Sequence, residues 1–149
     1  MRITLTLSLP RDEQTIPVAR HIASNAIEEV GVTSESVNDI AVALTEACTN
    51  VLNHTGPGEE FEISLDVDEE SCTIHVVDKG HGFESASLGL EHADVSAEQG
   101  RGIELMRALV DQVRFISKPQ DGTVVHLEKT LEFDEGSLVR RPDQTARLV

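Results

Sequence analysis

Tryptophan and tyrosine are absent from this 149-residue chain, and phenylalanine occurs only four times. With so few aromatics the core must be assembled from Val, Ile, Leu and Ala, which favours an aliphatic core of helices against a sheet. Cysteine is scarce as well. Cys48 and Cys72 are the two cysteines, too few for a disulfide framework, and each sits in an apolar pattern suited to a buried thiol, so a reducing cytoplasm is expected. No apolar run approaches the length of a bilayer crossing, and Met1-Arg2-Ile3-Thr4-Leu5-Thr6 alternates where a signal peptide would be uninterrupted. The expectation is a soluble, unexported, cytoplasmic protein with no membrane partner. Positive charge is also short, with 12 Lys and Arg against 27 Asp and Glu for a net charge of -15. Such a chain repels polyanions, and with no tight basic cluster it is not expected to bind nucleic acid directly. The absence of a Gly-x-x-x-x-Gly-Lys-Ser/Thr segment argues against a P-loop enzyme.

The length fits one domain. Ile3, Leu5, Leu7 and Leu9 alternate with polar residues, the period of a half-buried strand that ends at Pro10. From Asp12 the period becomes helical through Ile16, Ala19, Ala23, Ala26 and Val30, and Gly31 offers a left-handed stop. A capping-box pattern at Ser36 to Asp39 announces a second helix, whose apolar face runs through Ile40, Leu44, Ala47, Cys48 and Val51 before a Gly-Pro-Gly loop at 56–58. Phe61 to Val67 and Cys72 to Val76 alternate about an acidic turn, the pattern of a hairpin. Residues 84–99 are small, polar or acidic with scattered Leu and Val, and are read as a mobile lid. Helical spacing returns at Ile103, Met106, Leu109 and Val110, and strands follow near Val113–Ile116 and Thr123–Leu127. The predicted order is βααββαββ. It implies an α+β, two-layer sandwich over residues 1–133, a mostly antiparallel sheet with helices on one face, and a frayed tail at 134–149.

Three polar segments interrupt this apolar patterning. Glu46, Asn50 and His54 stand four residues apart and form one helical stripe beside the buried face. Any one of them alone reads as a solvated flank. Asp78-Lys79-Gly80-His81-Gly82-Phe83 places a carboxylate at the end of a buried strand, with two glycines that let the backbone approach a ligand closely. Gly100-Arg101-Gly102 is read as the opening of the third helix, where free amides favour a phosphate. Together they supply a metal-binding amide, a carboxylate base, a base-recognition carboxylate and a phosphate-binding helix end.

Glu46-Ala47-Cys48-Thr49-Asn50 resembles the N box, Asp78 to Phe83 the G1 box and Gly100 to Met106 the G2 box of GHKL ATPases and kinases, whose ATP-binding domain has the Bergerat fold. Gly122-Thr123 is similar to the family's final nucleotide-contacting Gly-Thr. The matches run in family order from the second helix to the last strand. Within that superfamily, Glu-Ala-Cys-Thr-Asn-Val and the run from Gly100 to Asp111 resemble the anti-sigma-factor serine kinases of the RsbW/SpoIIAB type. The resemblance implies an ATP-dependent serine/threonine kinase that sequesters a sigma factor and phosphorylates an anti-anti-sigma partner of the STAS type. It also implies a homodimer formed through the first strand and helix.

Asp78 is expected to accept a hydrogen bond from the adenine amino group, where guanine would present a second acceptor. Gly80 and Gly82 would admit the base and sugar, and Thr123 would hold the purine directly or through a water, its alternative being an ordinary strand threonine. Asn50 offers a neutral oxygen to Mg²⁺. Glu46, one turn earlier, is the expected general base. Gly100 and Gly102 would free amides for the phosphates, and Arg101 would neutralise charge on the transferred group, unless it faces solvent. His54 is read as a helix end, and His81 and His92 lack metal-ligand spacing. Two other readings compete with the kinase: a protein-binding module or ATPase without kinase activity, and the catalytic domain of a histidine kinase. The last needs a helical phosphoacceptor segment, and only a strand precedes the first helix.

Overall fold

The computed structural model describes residues 1–54, 60–78, 97–118 and 122–137. Eight elements follow in the order β1 (Ile3–Pro10), α1 (Thr15–Glu29), α2 (Ser34–His54), β2 (Glu60–Val67), β3 (Ser71–Asp78), α3 (Ala97–Leu109), β4 (Gln112–Lys118) and β5 (Gly122–Thr130). The five strands form one sheet in the order β1-β2-β3-β5-β4, and every pairing is antiparallel. The expected α+β sandwich with an antiparallel sheet is therefore the observed one. Between β3 and β4 the chain crosses over through α3, and β5 fills the gap left between these two parallel strands.

Alternation in the strands decides where the core lies. Phe61, Ile63, Leu65 and Val67 of β2 are buried, as are Cys72, Ile74 and Val76 of β3 and Val125 and Leu127 of β5, while their sequence neighbours are not. The buried face meets Ile40, Ala43, Leu44, Ala47, Cys48 and Val51 of α2, Ile16, Ala19, Ala23 and Ile27 of α1, and Ile103 and Met106 of α3. Lys129 fastens both layers together, its Nζ donating to the Leu109 carbonyl at 2.8 Å and pairing with Asp39 Oδ2 at 3.2 Å.

The helix starts differ from the local sequence pattern. α2 begins at Ser34, two residues before the Ser36 of the capping-box pattern, and Thr33 caps it: its Oγ1 accepts from the Ser36 amide at 3.4 Å. Tertiary contacts select this start, since the Thr33 amide donates to the Glu132 carbonyl at 2.9 Å and Val32 bridges Phe133. α3 begins at Ala97, so residues 97–99, expected in the lid, are its first turn, and residues 84–96 lie outside the described part. The start of the expected frayed tail is packed: the Asp134 amide donates to the Gly31 carbonyl at 2.8 Å and Ser137 is buried. Residues 138–149 are outside the described part.

Gly31 carries that last contact. Its φ of +96° is disfavoured for residues with a Cβ, and a Cβ there would lie 2.2 Å from Ser137 Cβ. Gly136 has φ +79° but open space around it. Gly136→Ala is expected to cost about 1–2 kcal/mol from backbone strain alone, and Gly31→Ala more than this because Ser137 must also move. Urea denaturation of the two variants checks the order, and equal losses would contradict it.

Candidate functional site

One end of the buried sheet face is polar. Register pairs Asp78, the last residue of β3, with Thr123 at the start of β5 and with Phe61 in β2, so these side chains stand on one face in adjacent strands. Asp78 and Thr123 are each 0% exposed. No described residue offers the Thr123 hydroxyl a hydrogen bond.

α2 carries the next two residues. Asn50 is 6% exposed because it borders the face formed by Ala47 and Val51, and neither its amide oxygen nor its nitrogen has a partner among the described residues. A buried polar group left unmade costs about 1–3 kcal/mol. Asn50 and Thr123 thus leave polar atoms available to a further partner. Glu46, one turn back, is half-buried and lies against α3: a Cβ at Gly102 would sit 2.8 Å from Glu46 Oε2.

Arg11 joins these pieces, and the sequence reading missed it. Its Nη1 lies 3.3 Å from Asp78 Oδ2, with the two side chains 8% and 0% exposed, and its Nη2 donates to the Leu52 carbonyl at 3.2 Å. Leu52 is two residues beyond Asn50. The guanidinium therefore ties the ends of β1, β3 and α2 to one point. The signal available in the sequence was an arginine immediately after the last strand residue, Pro10, but its partner is two strands away in the sheet and 67 positions along the chain.

The structure thus gathers Asp78 and Thr123 by register, sets the end of α2 beside them through Arg11, and places Glu46 against Gly102. It departs from expectation on the third helix. Gly100 and Gly102 do not open α3, which starts at Ala97. The free amides of a helix lie in its first turn; Gly100 is at the end of that turn and Gly102 is past it. What Gly102 supplies is room for the Glu46 carboxylate. Arg101 is exposed. Gly80 and Gly82, with His81 and His92, lie outside the described residues, and the side chain of His54 is likewise not described.

The family described as the histidine kinase-like ATPase domain matches residues 9–129. The chain belongs to that family. Among curated relatives it is 28% identical over 141 residues to the serine-protein kinase RsbW of Halalkalibacterium halodurans, covering 89% of this chain and 86% of that protein. It is 29% identical over 122 residues to the anti-sigma F factor of Pasteuria penetrans, covering 76% and 81%. Among solved structures, the RsbU and RsbW domains of a Mycobacterium tuberculosis protein superpose with TM-score 0.66 at 17% identity, over 87% of this chain and 32% of that one. The mycobacterial sensor histidine kinase MprB superposes with TM-score 0.53 at 14% identity, over 86% and 100%. At these identities the structural likeness shows the fold.

In this histidine kinase-like ATPase domain the matched region contains every described residue of the polar end: Arg11, Glu46, Asn50, Asp78, Gly102 and Thr123. Cys48 lies on the same helix between Glu46 and Asn50 but is core. Cys48 and Cys72 are buried, and burial pushes each thiol up to about 12. Among the described residues no group of three or more metal-ligating side chains occurs. At pH 8 both thiols are therefore protonated as well as inaccessible, and neither is expected to react with iodoacetamide until the protein is unfolded. Mass spectrometry after native and denatured alkylation reads this, and rapid native labelling of Cys48 would contradict the packing of α2.

Proposed function

We propose that the chain is an ATP-dependent protein serine kinase and anti-sigma factor, acting in the cytoplasm on a sigma factor and an anti-anti-sigma protein. The observation that supports the nucleotide part is the buried pair Asp78 and Thr123, together with the orphaned amide of Asn50 on the helix whose end Arg11 ties to Asp78. The kinase and anti-sigma parts are supported by the names of the relatives, serine-protein kinase RsbW and anti-sigma F factor, which align over most of this chain. Among the described residues no helix is long and apolar enough to cross a membrane.

The residues fit Mg-ATP chemically. Asp78 accepts the adenine amino group, and the Thr123 hydroxyl, buried beside it, hydrogen-bonds the purine or a water held against it. Asn50 presents an amide oxygen of the kind Mg²⁺ takes alongside phosphate oxygens and water. When bound, Mg-ATP supplies the phosphoryl group, with the metal offsetting charge on the triphosphate. With the nucleotide bound, Glu46 would take the proton from the attacking serine hydroxyl as the new O–P bond forms and the bond to the ADP oxygen breaks, and the missing Cβ of Gly102 leaves room for its carboxylate. Arg101, exposed on the adjacent turn of α3, is available to the transferred group, and the Gly100 region to the phosphates. Gly80 and Gly82 are assigned to the base and sugar through the motif alone. A homodimer through β1 and α1 is supported by the position of β1 at the sheet edge and by the exposed apolar side chains Val18 and Ile22 on α1.

Asn50→Ala is expected to abolish Mg-dependent ATP binding in calorimetry. Glu46→Gln should keep binding and lower transfer of labelled phosphate to a partner serine by about 10²–10⁴-fold; unchanged turnover would discard Glu46 as the base. Free phosphate with no labelled partner would identify an ATPase instead. Gly102→Ala separates packing from chemistry. An alanine in a helix is favoured over glycine by about 1 kcal/mol, and the displaced atom is the end of a flexible side chain. The melting temperature should hold or rise while transfer falls at least tenfold; full transfer in the variant would show that the Glu46 position is not set by Gly102.

A further inference from the structure

Arg11 is assigned no role in the proposed phosphoryl transfer, yet its guanidinium stands against the carboxylate proposed to read the base. Strand register fixes the Cα of Asp78 opposite Thr123, but it leaves the plane of the carboxylate open, because the last torsion of an aspartate is broad and roughly two-fold. The guanidinium of Arg11 stands against it, with Nη1 at 3.3 Å from Oδ2. The guanidinium is itself held, because Nη2 donates to the Leu52 carbonyl at 3.2 Å. A planar group anchored at one nitrogen and paired at another transmits an orientation, which a point charge on a flexible stem does not.

We propose that Arg11 is a purine-specificity residue: it fixes the Asp78 carboxylate in the orientation that accepts the 6-amino group of adenine, and keys that orientation to the end of the helix that carries Asn50. The inference rests on the adenine-nucleotide reading above. Arg11 is a positioning residue, since it acts on the base through Asp78. Just past the end of β1 and paired with Asp78, its side chain is buried, unlike an arginine that serves solubility alone.

The test pairs a change in the protein with a change in the ligand. Dissociation constants for ATP and for purine riboside triphosphate, which lacks only the 6-amino group, are measured with Mg²⁺ for the wild type, Arg11→Met and Arg11→Lys, with thermal melting as a check of folding. The wild type is expected to prefer ATP by roughly ten- to hundredfold, the range for a hydrogen bond to a charged acceptor. In Arg11→Met that preference should shrink to within about threefold, because ATP loses more affinity than the desamino nucleotide does. Arg11→Lys should fall between, because an ammonium cannot hold both Asp78 and the Leu52 carbonyl; if Arg11→Met does not fold, a drop of at least threefold in the Arg11→Lys preference supports the proposal. A variant that keeps the wild-type preference, or that weakens both nucleotides by one factor, overturns it. A wild type with no preference would instead remove the adenine reading of Asp78, a failure visible before any substitution is made.

Discussion

A hydrophobic core that turns polar at one end is the constraint from which the rest follows. Five strands and three helices enclose a mainly aliphatic core, and the last residue of β3, the start of β5 and the last turns of α2 bring the buried polar residues Asp78, Thr123 and Asn50. Burying the side chains of Asn50 and Thr123 with no partner among the described residues costs free energy where apolar groups would pack. The helix-on-sheet architecture tolerates it because the rest of the interface is continuous and aliphatic. The proposed site thus lies where the core is least self-sufficient, in keeping with the rule that departures from consistent patterning mark sites.

The buried Arg11–Asp78 pair is the second part of this arrangement. A paired charge inside a protein is weak evidence for net stability, because desolvation offsets much of the attraction. Its effect is better seen in geometry: one guanidinium contacts elements that are far apart in sequence and fixes their relative position. On the other side of α2, Gly102 allows α3 to approach the Glu46 carboxylate closely. The helix bearing Glu46 and Asn50 is therefore held from both flanks.

Much of this was legible in the sequence because periodicity reports burial directly. The order of the eight elements and the sheet class follow from strand alternation and helical spacing, and Glu46 and Asn50 fall on one stripe by arithmetic. Asp78 and Thr123 were found by motif, but their pairing needed the register. What could not be read depended on tertiary choice. Ser36 to Asp39 is a good capping pattern, yet the bridge of Val32 to Phe133 fixes Thr33 as the cap. Gly100 and Gly102 resemble a helix opening, yet α3 gains a turn before them, so Gly102 acts by its missing side chain and not by a free amide. Arg11 lies beyond a proline in what looks like a connecting turn, and only the strand order shows that its neighbour is Asp78.

Whether the polar end of the core receives an adenine nucleotide, as proposed, is read most directly by NMR titration of backbone amides and side chains with Mg-ADP. One saturable set of shift changes is expected, including the Asn50 side-chain amide, the Asp78 and Thr123 backbone amides and the guanidinium of Arg11. Saturable changes confined to other residues, with those four groups unmoved, would contradict it.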